Sequence, residues 1–318
     1  MDRIERIPLT GDRASWLEAR RDFIGASEMA VVCGESGYAS LAELFAAKKG
    51  LRPPLQDNAV LRRGRWGESA AFQALSDERP EWQVVRAQVH CIDRERRIAC
   101  TPDGYCEMPL RPGTALVQAK VIAQSIFRRR WLDDPDDSII DGSVTIPANY
   151  LIQCQAELVL NPECEWSVLA CLINGEFSWH FRLFDIERDP VVAERILVAA
   201  ETFHRDYLDP NIMPPFDPQR DEELIRHLYP HDNGGEIDLT GDNRAAAAVE
   251  EWTEIKQALT RLNKQEKELK TELLGKIGEH SFARVAGGRR LSCKLQHRKA
   301  HAVEASSFRV LRLQAGPR

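Results

Sequence analysis

Arg97-Ile-Ala-Cys-Thr-Pro-Asp103-Gly, with Gln118-Ala-Lys120 beginning fifteen residues beyond Asp103, is the stretch on which the fold turns. Thr-Pro-Asp-Gly places proline and glycine where a type I turn wants them, so residues 97–106 read as a strand broken by a turn. Residues 115–122, Ala-Leu-Val-Gln-Ala-Lys-Val-Ile, read as the next strand, entered through a turn at Arg111-Pro-Gly113. Side chains in a strand alternate, so Gln118 and Lys120 share one face while Val117, Ala119 and Val121 share the other. A carboxylate, an amide and an ammonium thus converge at one edge of a sheet.

Glu68 stands upstream of this pair of strands and Gln153 downstream. The residue types suit phosphodiester hydrolysis, which needs charge neutralised at phosphorus and a water deprotonated. Hard divalent cations held by oxygen ligands supply both. Asp103 is the candidate central ligand, with the Gln118 amide oxygen and the Ala119 carbonyl as further donors and Glu68 serving a second metal or its water. Lys120 would polarise the attacking water or stabilise charge on the phosphate. Taken singly, Pro-Asp-Gly is more often only a turn and a strand lysine more often only solvated; the ordered set carries the reading.

In that order the motifs resemble the PD-(D/E)XK nucleases, and more closely the phage lambda exonuclease and YqaJ-type viral recombinase family. The pieces are Trp16-Leu-Glu-Ala-Arg20-Arg-Asp-Phe-Ile24-Gly-Ala-Ser27-Glu28, Gly64-Arg-Trp-Gly-Glu68, Ala99-Cys-Thr-Pro-Asp103-Gly, Gln118-Ala-Lys120 and Tyr150-Leu-Ile-Gln153-Cys-Gln155, within residues 12–210. The resemblance implies a magnesium-dependent enzyme, manganese serving in its place, that trims one strand of duplex DNA from the 5′ end. It also implies a single-strand annealing protein as partner and a ring-shaped trimer as the assembly.

One position departs from the family, which usually has glutamate where this chain has Gln118. A neutral amide oxygen binds magnesium more weakly than a carboxylate. Some related nucleases are similar in carrying Gln-x-Lys, so the expectation is an active enzyme, with a weakened DNA-end-binding protein and a same-fold endonuclease as the alternatives.

Upstream, Ser27 precedes Glu-Met-Ala-Val-Val-Cys and reads as the cap of a helix whose free amides attract an anion, with Arg20, on a helix begun near Ser15, as a clamp on the same phosphate. From spacing alone they read as an ordinary N-cap and a solvated arginine; the resemblance makes them the pocket for a terminal 5′-phosphate. Arg62, Arg63 and Arg65 lie just before Glu68, and Arg128, Arg129 and Arg130 follow the Gln118/Lys120 strand, so two basic runs flank the site as candidate DNA contacts. Tyr150, Gln153 and Glu157 repeat at helical spacing along residues 147–160 and could line it, Gln153 touching the metal's water or the scissile phosphate. The acidic run at Asp133, Asp134, Asp136 and Asp137 reads as a loop.

The net charge of −6 excludes a generic DNA coater, and eight cysteines without a Cys-x-x-Cys pair exclude a zinc ribbon. No apolar run reaches the ~20 residues that span a bilayer, and the start lacks a signal-peptide core, so a cytoplasmic protein without membrane contact is expected. Residues 166–173 and 177–184 form a hairpin around Asn174-Gly175, whose aromatic residues 177, 179 and 181 read as core; residues 190–208 form a closing amphipathic helix. Past a proline-rich stretch, Trp252, Ile255, Leu259, Leu262, Leu269 and Leu273 recur at spacings of three and four, with Glu266 breaking the seam between Leu262 and Leu269, the mark of a long coiled-coil-like helix, or two, packed within the chain or self-associating. Short strands around Gly287-Gly288 follow. Residues 284–312 hold eight Lys or Arg against one acid, Glu304; His297 and His301 there read as solvated.

The expectation is therefore an α/β fold: a restriction-endonuclease-like core with a central mixed sheet flanked by helices over residues 1–212, a linker over 213–243, and an α+β appendage of helix and basic hairpin over 244–318.

Overall fold

In the computed structural model, residues 3–9, 20–52, 58–297 and 309–312 of the chain are described. They form two compact units, Met1–Leu228 and Tyr229–Arg318.

The first unit is a mixed α/β fold built on two sheets. Strands β1 (Ile4–Pro8), β2 (Ile24–Gly25), β4 (Val89–Asp93) and β5 (Ile98–Cys100) form one, in the order β1-β4-β5-β2. Strands β3 (Gln83–Arg86), β6 (Gly104–Met108), β7 (Arg111–Ala123), β8 (Cys164–Asn174) and β9 (Trp179–Glu187) form the other, in that order. The break at Thr101-Pro-Asp103 therefore does more than turn the chain, because it passes it from the first sheet to the second.

Strand β7 is central and pairs in parallel with β8, Gln118 opposite Leu169 and Lys120 opposite Cys171. Residues 115–119 of β7 and nearly all of β8 are buried. Covered faces on both sides explain why these segments are almost continuously apolar. The face carrying Val117 and Ala119 packs under α3 (Ala59–Glu78) through Ala71, Phe72 and Leu75. On the opposite face, Leu116 packs with Leu158 of α5 (Ala148–Val159), whose Cys154 joins Leu169 and Cys171. The alternation expected at Gln118 and Lys120 is thus realised, with that face turned away from α3.

Gly67 fixes how closely α3 lies on β7, since a Cβ there would stand 2.5 Å from Val121 Cγ2. A third cluster joins Ile24 and Ile98 to Met29 of α1 (Met29–Val32), Phe45 of α2 (Leu41–Lys48), Ile152 of α5 and Phe203 of α6 (Pro190–Phe203). The helix α4 (Gln124–Arg130) follows β7 directly.

Three expectations change, and two others cannot be compared. The β6–β7 turn lies at Pro109-Leu110, because Arg111 already pairs with Met108 and Gly113, at φ +99, is absorbed inside the strand. Of the hairpin aromatics, Phe177 and Trp179 are exposed and only Phe181 packs inward, because the turn spans Gly175–Ser178 at the end of the sheet, beyond the core. The linker begins later than residue 213: Leu224 of α7 (Glu222–Leu228) is buried with Ala42 and Ala46, and the buried Asp221 accepts from Ser40 Oγ at 2.6 Å. The helix expected near Ser15 lies outside the described residues, as does His301.

Among the described residues of the second unit is the uninterrupted helix α8 (Asn243–Ile277), capped by Asp242, which accepts from the amides of Arg244 and Ala245. Its Ile255, Leu259, Leu262 and Leu269 side chains are exposed. A two-stranded hairpin follows, β10 (Phe282–Arg284) with β11 (Arg290–Ser292), turning through Gly287 and Gly288 at φ +76 and +74, a region glycine enters without strain. Among the described residues no helix is long and apolar enough to cross a membrane.

Candidate active site

Asp103 sits just before β6, Gln118 and Lys120 lie on β7, and Glu68 comes from α3, and all four line one cleft of about 590 Å³. Ala119, Gln153 and Glu157 complete its inner wall, and Ser27 and Arg65 stand on its rim. Residues up to 130 positions apart in sequence therefore share a single concavity.

Asp103 Oδ2 accepts from the Ala119 amide at 2.8 Å and from the Gln118 side-chain nitrogen. Burial pushes the Asp103 pKa above the ordinary carboxylate value, opposed by Lys120, the Ala119 N–H, Arg86 and Gln118. Glu68 is likewise pushed up by burial and by the Asp103 charge, while Arg86 and Lys120 hold it down. Arg86 pairs with Glu68 directly and lies 4.6 Å from the centre of the Phe72 ring, which fixes the guanidinium against α3. Burial thus raises both carboxylates, the Asp103 charge raises Glu68 further, and Lys120 and Arg86 oppose both shifts.

The amide of Gln118 is buried and bonded at both ends. Its oxygen accepts from Gln153 Nε2 at 2.8 Å, while its nitrogen faces Asp103. The expected ligand atom, the amide oxygen, is thus turned toward Gln153, because a neutral amide beside a carboxylate presents its donor. Gln153 Nε2 also donates to Glu157 Oε1 at 2.9 Å. Glu157 is buried, its other oxygen has no partner, and burial followed by the Asp103 charge pushes its pKa up to about 8. Spacing placed Glu157 along the site, but only the packing of α5 on β7 gives it this environment.

Other candidates fare differently. Ser27 does not cap a helix: it lies within a 3-10 turn, Ala26–Glu28, and the capping role falls to Glu28, whose carboxylate accepts from the Gly25 amide at 2.7 Å and pairs with Lys48 at 2.6 Å. Arg20 opens a 3-10 turn, Arg20–Asp22, and its side chain lies outside the described ones. Arg63 is exposed on α3 but does not line the cleft, whereas Arg65 does. Tyr150 packs on Trp131, ring centres 4.9 Å apart, which removes its ring from the cleft wall; the Lys120 ammonium stands 5.9 Å from its centre. Of the second basic run, Arg128 donates to the carbonyls of Pro135 and Asp137 and so tethers the acidic loop, and Arg130 stacks on Tyr38. Arg86 was not foreseen, since an isolated arginine at the end of an edge strand leaves no pattern.

Residues 15–161 match the model of the YqaJ-like viral recombinase domain. Every cleft residue named above falls inside the matched stretch. The YqaJ protein of Bacillus subtilis (strain 168) is 26% identical over 269 residues, covering 82% of this chain and 77% of that protein. Solved structures similar to the chain include an alkaline exonuclease (LHK-Exo) from Laribacter hongkongensis in complex with dAMP, at TM-score 0.46 and 18% identity over 67% of this chain and 96% of that one. A phage-related exonuclease from Haemophilus somnus 129PT reaches TM-score 0.44 at 14% identity, over 59% and 96% of the two chains. The motifs Gly64–Glu68, Ala99–Gly104, Gln118–Lys120 and Tyr150–Gln155 thus all fall within the stretch that matches the YqaJ-like viral recombinase model.

Proposed function

We propose that this chain is a divalent-cation-dependent deoxyribonuclease that degrades duplex DNA from its 5′ ends. The reading is carried by one observation: Asp103, Glu68 and Lys120, from three separate elements, meet in one cleft. The donor set suits a hard cation. Asp103, Glu68 and the carbonyl of Ala119 offer oxygen, and both hydrogen bonds described at the Asp103 carboxylate fall on Oδ2, leaving Oδ1 outside them. Magnesium, or manganese in its place, would be held by Asp103 with Glu68 and would neutralise the scissile phosphate while activating a water.

The residues themselves do the rest. Lys120, next to Asp103 in charge, orients the attacking water and meets the developing negative charge on phosphate oxygen. Arg86 keeps Glu68 facing the cleft through its ion pair. Arg65 and Ser27 on the rim, with Arg20 and Arg63 nearby in sequence, receive the DNA backbone and the terminal 5′-phosphate. The strand left exposed would pass to a single-strand annealing protein, and the enzyme would act in the cytoplasm as a ring-shaped trimer.

Incubation of linear and covalently closed circular duplexes, each with and without magnesium, tests this reading. Mononucleotide release from linear DNA alone, and only with the cation, is the expected result. Cutting of closed circles would replace the exonuclease with an endonuclease, and binding without release under all cation conditions would leave a DNA-end-binding protein.

A further inference from the structure

Behind Asp103 runs a row of hydrogen bonds that the proposed chemistry does not use. Gln118 Nε2 donates to Asp103 Oδ2, Gln118 Oε1 accepts from Gln153 Nε2 at 2.8 Å, and the same Gln153 nitrogen donates to Glu157 Oε1 at 2.9 Å. A primary amide has one accepting and one donating end, so only one of them can face Asp103. A cation beside Asp103 calls for the oxygen, yet the nitrogen is there.

The direction of the row is set at its far end. Glu157 is 1% exposed, one helical turn from Gln153 on α5, and its Oε2 is buried without a partner. Whether or not the acid holds a proton on Oε2, Oε1 remains an acceptor, so Gln153 turns its NH2 toward both neighbours and Gln118 answers with its oxygen. A carboxylate at position 118 would escape this control, because it presents an oxygen in both directions.

We propose that Glu157 is a positioning residue which, through Gln153, holds the Gln118 amide with its nitrogen toward Asp103 and thereby lowers the cleft's affinity for a divalent cation. The inference rests on the cation-dependent reading of the cleft. It ties the chain's departure from its family, glutamine at 118, to a second residue that compensates or restrains it.

Manganese binding by the DNA-free protein, followed through the electron paramagnetic resonance of free Mn2+, tests it. Glu157→Met removes the acceptor, releases both amides to turn, and should tighten Mn2+ binding about three- to tenfold, the value of one net hydrogen bond. Glu157→Gln keeps an oxygen in the Oε1 position and should bind as the unmutated protein does. Against a Gln118→Glu background, Glu157→Met should change nothing. If Glu157→Met does not fold, Gln153→Met cuts the same row at its half-buried middle member and should give the same rise. Unchanged or weaker binding by these methionine variants, or an equal rise in the Gln118→Glu background, overturns the inference while leaving the cation site standing. A protein that binds no Mn2+ at all overturns the cation reading and this inference together.

Discussion

At the scale of single residues the cleft sorts into groups that would do chemistry and groups that hold them. Asp103→Ala and Lys120→Ala are each expected to lower nucleotide release at least a hundredfold, the order of loss seen when one charge-stabilising group is removed, while circular dichroism and the unfolding temperature stay near those of the unmutated protein. Near-normal digestion by either variant would sink the assignment. Gln118→Glu should lower the magnesium concentration needed for half-maximal activity, because it replaces an amide whose oxygen is turned toward Gln153 by a carboxylate that presents an oxygen beside Asp103.

Glu157 gives a residue-scale prediction of another kind. Its folded-state pKa, about 8, lies above its ordinary value of 4.5. Between those values the folded protein holds a proton that the unfolded chain has released, so stability falls as pH rises through this window, by about 1.4 kcal/mol per pH unit at most. Glu157→Gln carries no such proton. Urea unfolding at several pH values should show the stability gap between the two proteins moving in favour of the variant from about pH 5 to about pH 8. A gap independent of pH would mean that Glu157 titrates normally.

At the scale of elements, the site depends on α3 lying close to β7. Gly67 permits the approach, since an added Cβ would come within 2.5 Å of Val121. Gly67→Ala is therefore expected to push the helix outward and carry the adjoining Glu68 with it. Overpacking of this kind costs about 1–3 kcal/mol, and the magnesium requirement should rise along with the loss in stability. A control at Gly64 of the same helix, where a Cβ meets nothing within 4 Å, should gain about 0.5–1 kcal/mol from helix propensity and leave the magnesium requirement unchanged. A loss of stability and a rise in magnesium requirement at both glycines would argue against close packing at Gly67 as the cause.

At the scale of the whole molecule, the two compact units and the end-recognition reading can be tested separately. Residues 229–242 carry no helix or strand and are exposed, so limited proteolysis should cut there and leave a folded fragment ending near Leu228. If Arg20 and Ser27 receive a terminal phosphate, 5′-phosphorylated duplexes should be degraded about ten- to a hundredfold faster than 5′-hydroxyl duplexes, and Arg20→Ala should erase that preference while sparing slow hydrolysis. Equal rates on both ends in the unmutated protein would return Arg20 and Ser27 to ordinary surface roles.

The sequence by itself determined the strands on either side of Asp103, the hairpin around Asn174-Gly175, the shared face of Gln118 and Lys120, and most of the candidate residues that line the cleft. Period-two alternation placed Gln118 and Lys120 together, and Pro102 and Gly104 marked the break that delivers Asp103, because these are local consequences of backbone geometry. Local rules also misled: Arg111-Pro-Gly113 has turn composition but pairs as strand, and Phe177 looks like core but lies at a hairpin tip. Only the tertiary structure decided which way the Gln118 amide points, that Arg86 holds Glu68, that Tyr150 spends its ring on Trp131, and that Glu157 is sealed beside the site. Each of these depends on the desolvation and contacts made when α3 and α5 close over opposite faces of β7. A pattern along the chain fixes which face a side chain takes, but not what is packed against it there.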